Sequence, residues 1–164
     1  MIRGVSGLPP YIDAIGWWDT IIEKGTKDAH WLADPRIASL VADAIRYRDG
    51  KDYDLVTYTI MPNHVHIVFG IGQYDILEHP ANGMPLSGKQ VSRIMMSLKR
   101  HTAFEANKLL GRSGAFWQDE SYDHVVRDRE ELGRIIEYVL DNPIQAGLAH
   151  SRRAWQWSYS RYEL

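Results

Sequence analysis

At 164 residues, with 45% of them apolar, the chain is the size of one domain and long enough to bury a real core. It contains no cysteine, which excludes disulfides, thiolate metal sites and thiol nucleophiles and suits a reducing, cytoplasmic setting. A formal net charge of −2 and a pI near 6.4 exclude a uniformly basic nucleic-acid binder, and no window approaches the roughly 18 apolar residues of a membrane span.

Residues 8–31, "LPPYIDAIGWWDTIIEKGTKDAHW", mix aromatic and turn residues without a clean period and read as an N-terminal segment of short helices and loops. In "ADPRIASLVADAIRYRDG", Asp34 stands at an N-cap position, Pro35 at the first helical position, and Asp49-Gly50 closes the run, which predicts a helix over 35–48. "YDLVTYTIM" and "HVHIVFGI" are β-branched and aromatic runs joined around Pro62-Asn63, an antiparallel pair with a tight connection. The Gly- and Pro-containing stretch 72–87 reads as a loop.

Val91, Ile94, Met95 and Leu98 then follow with helical spacing, continued through Phe104 and Leu109 until Gly111. "SYDHVV" is a short strand, and Asp128 caps a helix that Pro143 should end at about Asn142. The order predicts an α+β domain over 1–164. It is a β-α-β-β-α-β sheet of ferredoxin-like type with its first strand short or missing and one additional C-terminal helix, followed by a basic, aromatic tail at 151–164.

Within "MPNHVHIVF", strand alternation sends Val65, Ile67 and Phe69 to one face and His64 and His66 to the other. Two imidazoles two residues apart can converge on one divalent ion; they can equally be half-exposed residues on a solvated sheet face. On the last helix, Leu132, Ile136, Val139 and Leu140 form an apolar stripe with Ile135 at its edge. Glu131, Tyr138 and Asn142 run along its flank. Tyr138 and Asn142, four apart, can offer a nucleophile and a third metal ligand to one pocket, or be a rim tyrosine and a C-terminal asparagine. Tyr122, next but one to His124, is the rival nucleophile, with a packing or DNA-contact role as its plainer reading.

A phenolate suits phosphodiester chemistry, because it is both an adequate nucleophile and a tolerable leaving group, so a phosphotyrosine conserves bond energy for rejoining. His, His and an amide oxygen would leave coordination positions open for phosphate and water, as Mg²⁺ or Mn²⁺ requires. The charge pattern agrees with an anionic substrate. Lys89, Arg93, Lys99, Arg100, Lys108 and Arg112 face a single acid, Glu105, across that stretch. The tail adds Arg152, Arg153 and Arg161 among tryptophans and tyrosines suited to stacking on unpaired bases. Either stretch also fits an ordinary solvated surface, with tail aromatics capping the core.

His64-Val65-His66 after "MPN" resembles the histidine-hydrophobic-histidine motif of the HUH single-strand nucleases. The run "SLKRHTAFEANKLLGRSGAFWQDESYDHVVRDREELGRIIEYVLDNPIQAGL" resembles the single-tyrosine transposases, specifically the REP-associated group, with similarity from about Leu8 to Trp157. The resemblance implies a single-strand DNA nicking and joining enzyme acting beside a palindromic hairpin. In it His64, His66 and Asn142 hold Mg²⁺ or Mn²⁺, and Tyr138 in "YVLDNP" attacks to leave a 5′-phosphotyrosine and a free 3′-hydroxyl. It also implies a monomer, although related insertion-sequence transposases are dimers. A non-catalytic nucleic-acid-binding module of the same fold is the alternative, and an unrelated HxH metallohydrolase a third. The family's usual first strand has no evident counterpart in "MIRGVSG".

Overall fold

The computed structural model describes residues 15–22, 29–71 and 88–162, apart from the side chains of 15–22, 88–89 and 120–123. Its elements in chain order are β1 (Ile15–Ile22), α1 (Pro35–Arg48), β2 (Asp54–Ile60), β3 (His64–Gly70), α2 (Gly88–Leu110), β4 (Trp117–Val125), α3 (Arg129–Gln145) and β5 (Ser158–Ser160). Short 3-10 turns lie at Trp31–Ala33 and Arg152–Ala154. The loop expected over 72–87 lies outside the described residues.

Local chemistry sets the elements that position the site. Asp34 accepts the Arg36 amide at 2.9 Å and starts α1 with Pro35 in its first turn. Asp49 at its other end accepts the Leu55 amide at 2.9 Å, tying the helix to the start of β2. Between β2 and β3 the chain reverses through Pro62-Asn63, closed by the Met61 amide donating to the His64 carbonyl at 2.8 Å. The Leu32 amide donates to the Pro62 carbonyl at 3.1 Å and holds this turn from outside.

The sheet runs β4-β1-β3-β2-β5, every neighbouring pair antiparallel. Here the expected N-terminal helices and loops are corrected, because Ile15–Ile22 is a strand. Far from being missing, β1 lies inside the sheet, paired to β3 on one side and β4 on the other. The sequence "IGWWDTII" hides this because a strand in a sheet covered on both faces needs no polar alternation. β4 also starts earlier than "SYDHVV" suggests, at Trp117.

Helices α1 and α2 cover one face. Ile37, Val41 and Ile45 of α1 and Val91, Met95 and Leu98 of α2 share a core with Val65, Ile67 and Phe69 of β3. On the opposite face α3 lies alone, with Leu132, Ile135, Ile136 and Val139 packed on Val56, Val68 and Val126. Strand parity therefore puts His64 and His66 on the α3 side.

Near the C-terminus one expectation is corrected. Pro143 does not end α3 but sits in its last turn. The backbone bond it forgoes is offset by a full Schellman end: the Leu148 amide donates to the Pro143 carbonyl at 2.8 Å and the Gly147 amide to the Ile144 carbonyl at 2.9 Å, with Gly147 at φ 72°. Asn142 thus stays helical. The tail is structural as well. β5 adds to the edge of β2, Thr57 Oγ1 donates to the Tyr159 carbonyl at 2.6 Å, and Trp157 and Tyr159 pack against the core, the second of the two readings of the tail aromatics.

Gly147→Ala places a Cβ in the left-handed region and should cost about 1 kcal/mol. Urea unfolding should show a lower midpoint at unchanged slope, and an unaltered midpoint would contradict the assigned helix end.

Candidate active site

The imidazoles of His64 and His66 meet edge to face, with ring centroids 4.7 Å apart at 85° and their Nε2 atoms 3.0 Å apart. His64 Nδ1 donates to the Asn63 side-chain oxygen at 2.7 Å. The Tyr138 ring packs edge to face on His66 at 5.5 Å between centroids. His66 is only 3% exposed while Tyr138 is 42% exposed, so the inner imidazole is sealed and the phenol stands at an open rim. Asn142 lies one helical turn beyond Tyr138, half-buried.

Two imidazole nitrogens this close could act as neighbouring ligands of one divalent cation. Two adjacent ligands about 2.1 Å from an octahedral ion lie roughly 3.0 Å from one another, which is the separation of the two Nε2 atoms. Among the described residues no cluster of three His, Asp or Glu side chains forms, and Asn142, one turn beyond Tyr138, offers an amide oxygen on the same helix. The rival Tyr122 pairs in backbone register with Asp19, which in turn pairs with His66, two strands away. Its side chain lies outside the described residues.

One pair escaped the sequence reading. His124 Nε2 and Glu131 Oε1 are 2.9 Å apart, Glu131 Oε2 accepts the Arg127 amide at 2.7 Å, and Asp128 accepts the Glu131 amide at 2.8 Å. The signal was present as Asp128-x-x-Glu131, the spacing of a capping exchange. The Arg127 amide, and after it the His124 side chain, hold the Glu131 carboxyl below the ordinary carboxylate range. Together they seat the first turn of the helix that carries Tyr138.

The basic residues divide. Arg93, Arg100 and Lys108 are exposed along α2, and Arg153 is exposed in the tail. Lys99 is half-buried and donates to the Gln118 carbonyl at 2.7 Å, and burial pushes its ammonium pKa down. Arg112 lies over the Trp31 ring at 3.9 Å and donates to the Ala115 carbonyl at 3.1 Å. Arg152 and Arg161 form paired bonds to Asp141 and Asp49, at 2.7 Å or less. These four are engaged by neighbouring groups of the protein itself, a distinction that spacing along a helix does not reveal. The Lys89 side chain lies outside the described residues. Beside Lys99 and Arg100, a cleft of about 720 Å³ opens between α2 and β4, walled by Met96, Phe116 and Trp117.

The fold and part of the sequence have counterparts among known proteins. No family model matches the chain. A Haemophilus influenzae protein named for the REP-associated tyrosine transposases is 24% identical over 106 residues, 65% of this chain and 58% of the relative. An uncharacterized protein of the same organism is 31% identical over 97 residues, 53% of this chain and 52% of the relative. The chain thus spans little more than half the length of these curated relatives. A solved REP-associated tyrosine transposase bound to a REP hairpin shares the fold at a TM-score of 0.60 and 12% identity, over 89% of this chain and 76% of that one. Among the described residues no helix is long and apolar enough to cross a membrane.

Because the folded Glu131 carboxyl titrates below its unfolded value, its bonds stabilise the protein above the ordinary carboxylate range and are lost as pH falls through the folded pKa. Glu131→Gln should cost about 1 kcal/mol at neutral pH and almost nothing in strong acid. A pH series of thermal melts reads this, and a deficit independent of pH would contradict it.

Proposed function

We propose that this chain, similar in sequence and fold to REP-associated tyrosine transposases, cleaves and rejoins single-stranded DNA beside a palindromic hairpin through a 5′-phosphotyrosine on Tyr138. The observation that carries the reading is the His64–His66 pair, its Nε2 atoms 3.0 Å apart, with the Tyr138 ring against the inner imidazole. We read the strand order β4-β1-β3-β2, with its β-α-β-β-α-β connectivity and β5 added at the edge, as a ferredoxin-like sheet.

His64, His66 and Asn142 would hold Mg²⁺ or Mn²⁺, which when bound polarises the scissile phosphate. Tyr138 supplies the nucleophile: its oxygen forms a bond to phosphorus as the bond from phosphorus to the 3′-oxygen breaks. The phenolic proton passes to solvent at the open rim, and the departing 3′-oxygen takes one up. The strand stays attached through its 5′-phosphate. Reversal by a second 3′-hydroxyl frees the tyrosine and rejoins the DNA, so no external energy source is needed. α3 fixes the phenol beside His66, since a helix held at both ends keeps the angular setting of every residue between.

Arg93, Arg100 and Lys108 would follow the DNA backbone, and Arg153 would add a contact from the tail. The hairpin comes to this chain from the solved relative, and a monomer in the cytoplasm is the working state we infer. A binding module without catalysis is the second reading.

Incubated with Mn²⁺ and hairpin-bearing single-stranded oligonucleotides, the protein should form a covalent adduct that Tyr138→Phe abolishes and Tyr122→Phe retains. Binding without any adduct would leave the module, and an adduct that survives Tyr138→Phe would move the nucleophile elsewhere. Arg93→Ala and Arg100→Ala should each lower the slope of log affinity against log salt by about 0.7, equally for all sequences. A loss confined to one DNA sequence would contradict backbone contact.

A further inference from the structure

Asn63 occupies the turn before the histidine pair, and the function proposed above gives it no role. We propose that Asn63 is the positioning residue that presets His64 for the cation, an inference that rests on the metal-site reading. An amide oxygen can only accept, so the 2.7 Å contact between Asn63 Oδ1 and His64 Nδ1 requires the proton to be on Nδ1. That leaves Nε2 of His64 bare, with its lone pair aimed at Nε2 of His66, 3.0 Å away. A free neutral imidazole prefers the opposite tautomer, with its proton on Nε2, where it would block a cation. Asn63 reverses that preference.

The backbone that carries the acceptor is held at two points. Its turn is closed by the Met61 amide on the His64 carbonyl at 2.8 Å and anchored by the Leu32 amide on the Pro62 carbonyl at 3.1 Å. Pro62 restricts the turn further through its own ring. The adjacent asparagine and histidine thus share one rigid corner, so the imidazole plane is set before any ion arrives. Holding a metal-binding histidine by its far nitrogen both orients the ring and raises its basicity, and losing such a partner typically weakens metal binding roughly 10- to 100-fold. His66 is in a different state: with His64 Nε2 bare, the 3.0 Å contact needs the proton on His66 Nε2, so His66 is the member that must shift its proton when a cation enters.

The test uses the full chain and Mn²⁺ alone. Nitrogen-15 multiple-bond NMR of the metal-free protein reads the tautomer of His64, and calorimetric titration reads Mn²⁺ affinity. Wild type should show His64 protonated at Nδ1. Asn63→Ala should move His64 towards the Nε2 tautomer and weaken Mn²⁺ binding 10- to 100-fold. Asn63→Asp, which keeps an acceptor at the same place, should restore the tautomer and recover affinity to within a few-fold of wild type. Should Asn63→Ala fail to fold, the wild-type tautomer and the Asn63→Asp affinity still decide. A wild-type His64 protonated at Nε2, or Asn63→Ala binding Mn²⁺ as wild type does, overturns the inference and leaves the metal site standing. A wild type that takes up no Mn²⁺ overturns the metal-site reading and this inference with it.

Discussion

Val65, Ile67 and Phe69 enter the core beneath α1 and α2, and because side chains alternate along a strand, His64 and His66 are left with the face that α3 covers. A slip of one residue in β3 would bury both imidazoles among aliphatic side chains and turn three core residues towards α3. The pairing of β3 with β1 on one side and β2 on the other locks the strand in its register. The pair shares that face with the apolar contact between α3 and Val68, and the cost of burying His66 is offset by its bond to His64.

The position of Tyr138 follows from a different balance. Fully burying side chains such as Leu132, Ile136 and Val139 contributes on the order of 1.5–3 kcal/mol each, whereas an exposed ion pair such as Arg134 with Glu130 contributes at most about 1 kcal/mol. The apolar stripe thus decides how α3 lies on the sheet. Tyr138 is carried to the rim as a consequence, one residue before the buried Val139. The ends of the helix refine what the stripe sets. Asp128 and Glu131 satisfy the first turn and the Schellman end holds the last, so Tyr138 and Asn142 keep a fixed helical relation although Pro143 follows directly.

Much of this was legible in the sequence. Asp34-Pro35 marked the start of α1, the two β-branched runs marked β2 and β3, and the spacing of Leu132, Ile136 and Val139 marked the buried face of α3. What stayed hidden shares a cause, since each depends on residues far along the chain. β1 shows no alternation because it lies inside a sheet with helices on both faces. Pro143 reads as a helix stop unless the carbonyl bonds that follow it are known. Nothing in the spacing around Arg112 reveals that Trp31 lies beneath its guanidinium. Local pattern reports the face a residue prefers; it does not report which distant partner has already claimed it.

Anomalous diffraction from crystals grown with Mn²⁺ addresses the central claim directly, because it locates the ion against the two imidazoles without relying on turnover. The account predicts one strong peak within bonding distance of Nε2 of both His64 and His66, on the side from which the Tyr138 hydroxyl can reach a bound phosphate. A histidine pair that keeps its mutual hydrogen bond with no peak beside it, or a peak held by other residues, would contradict the account.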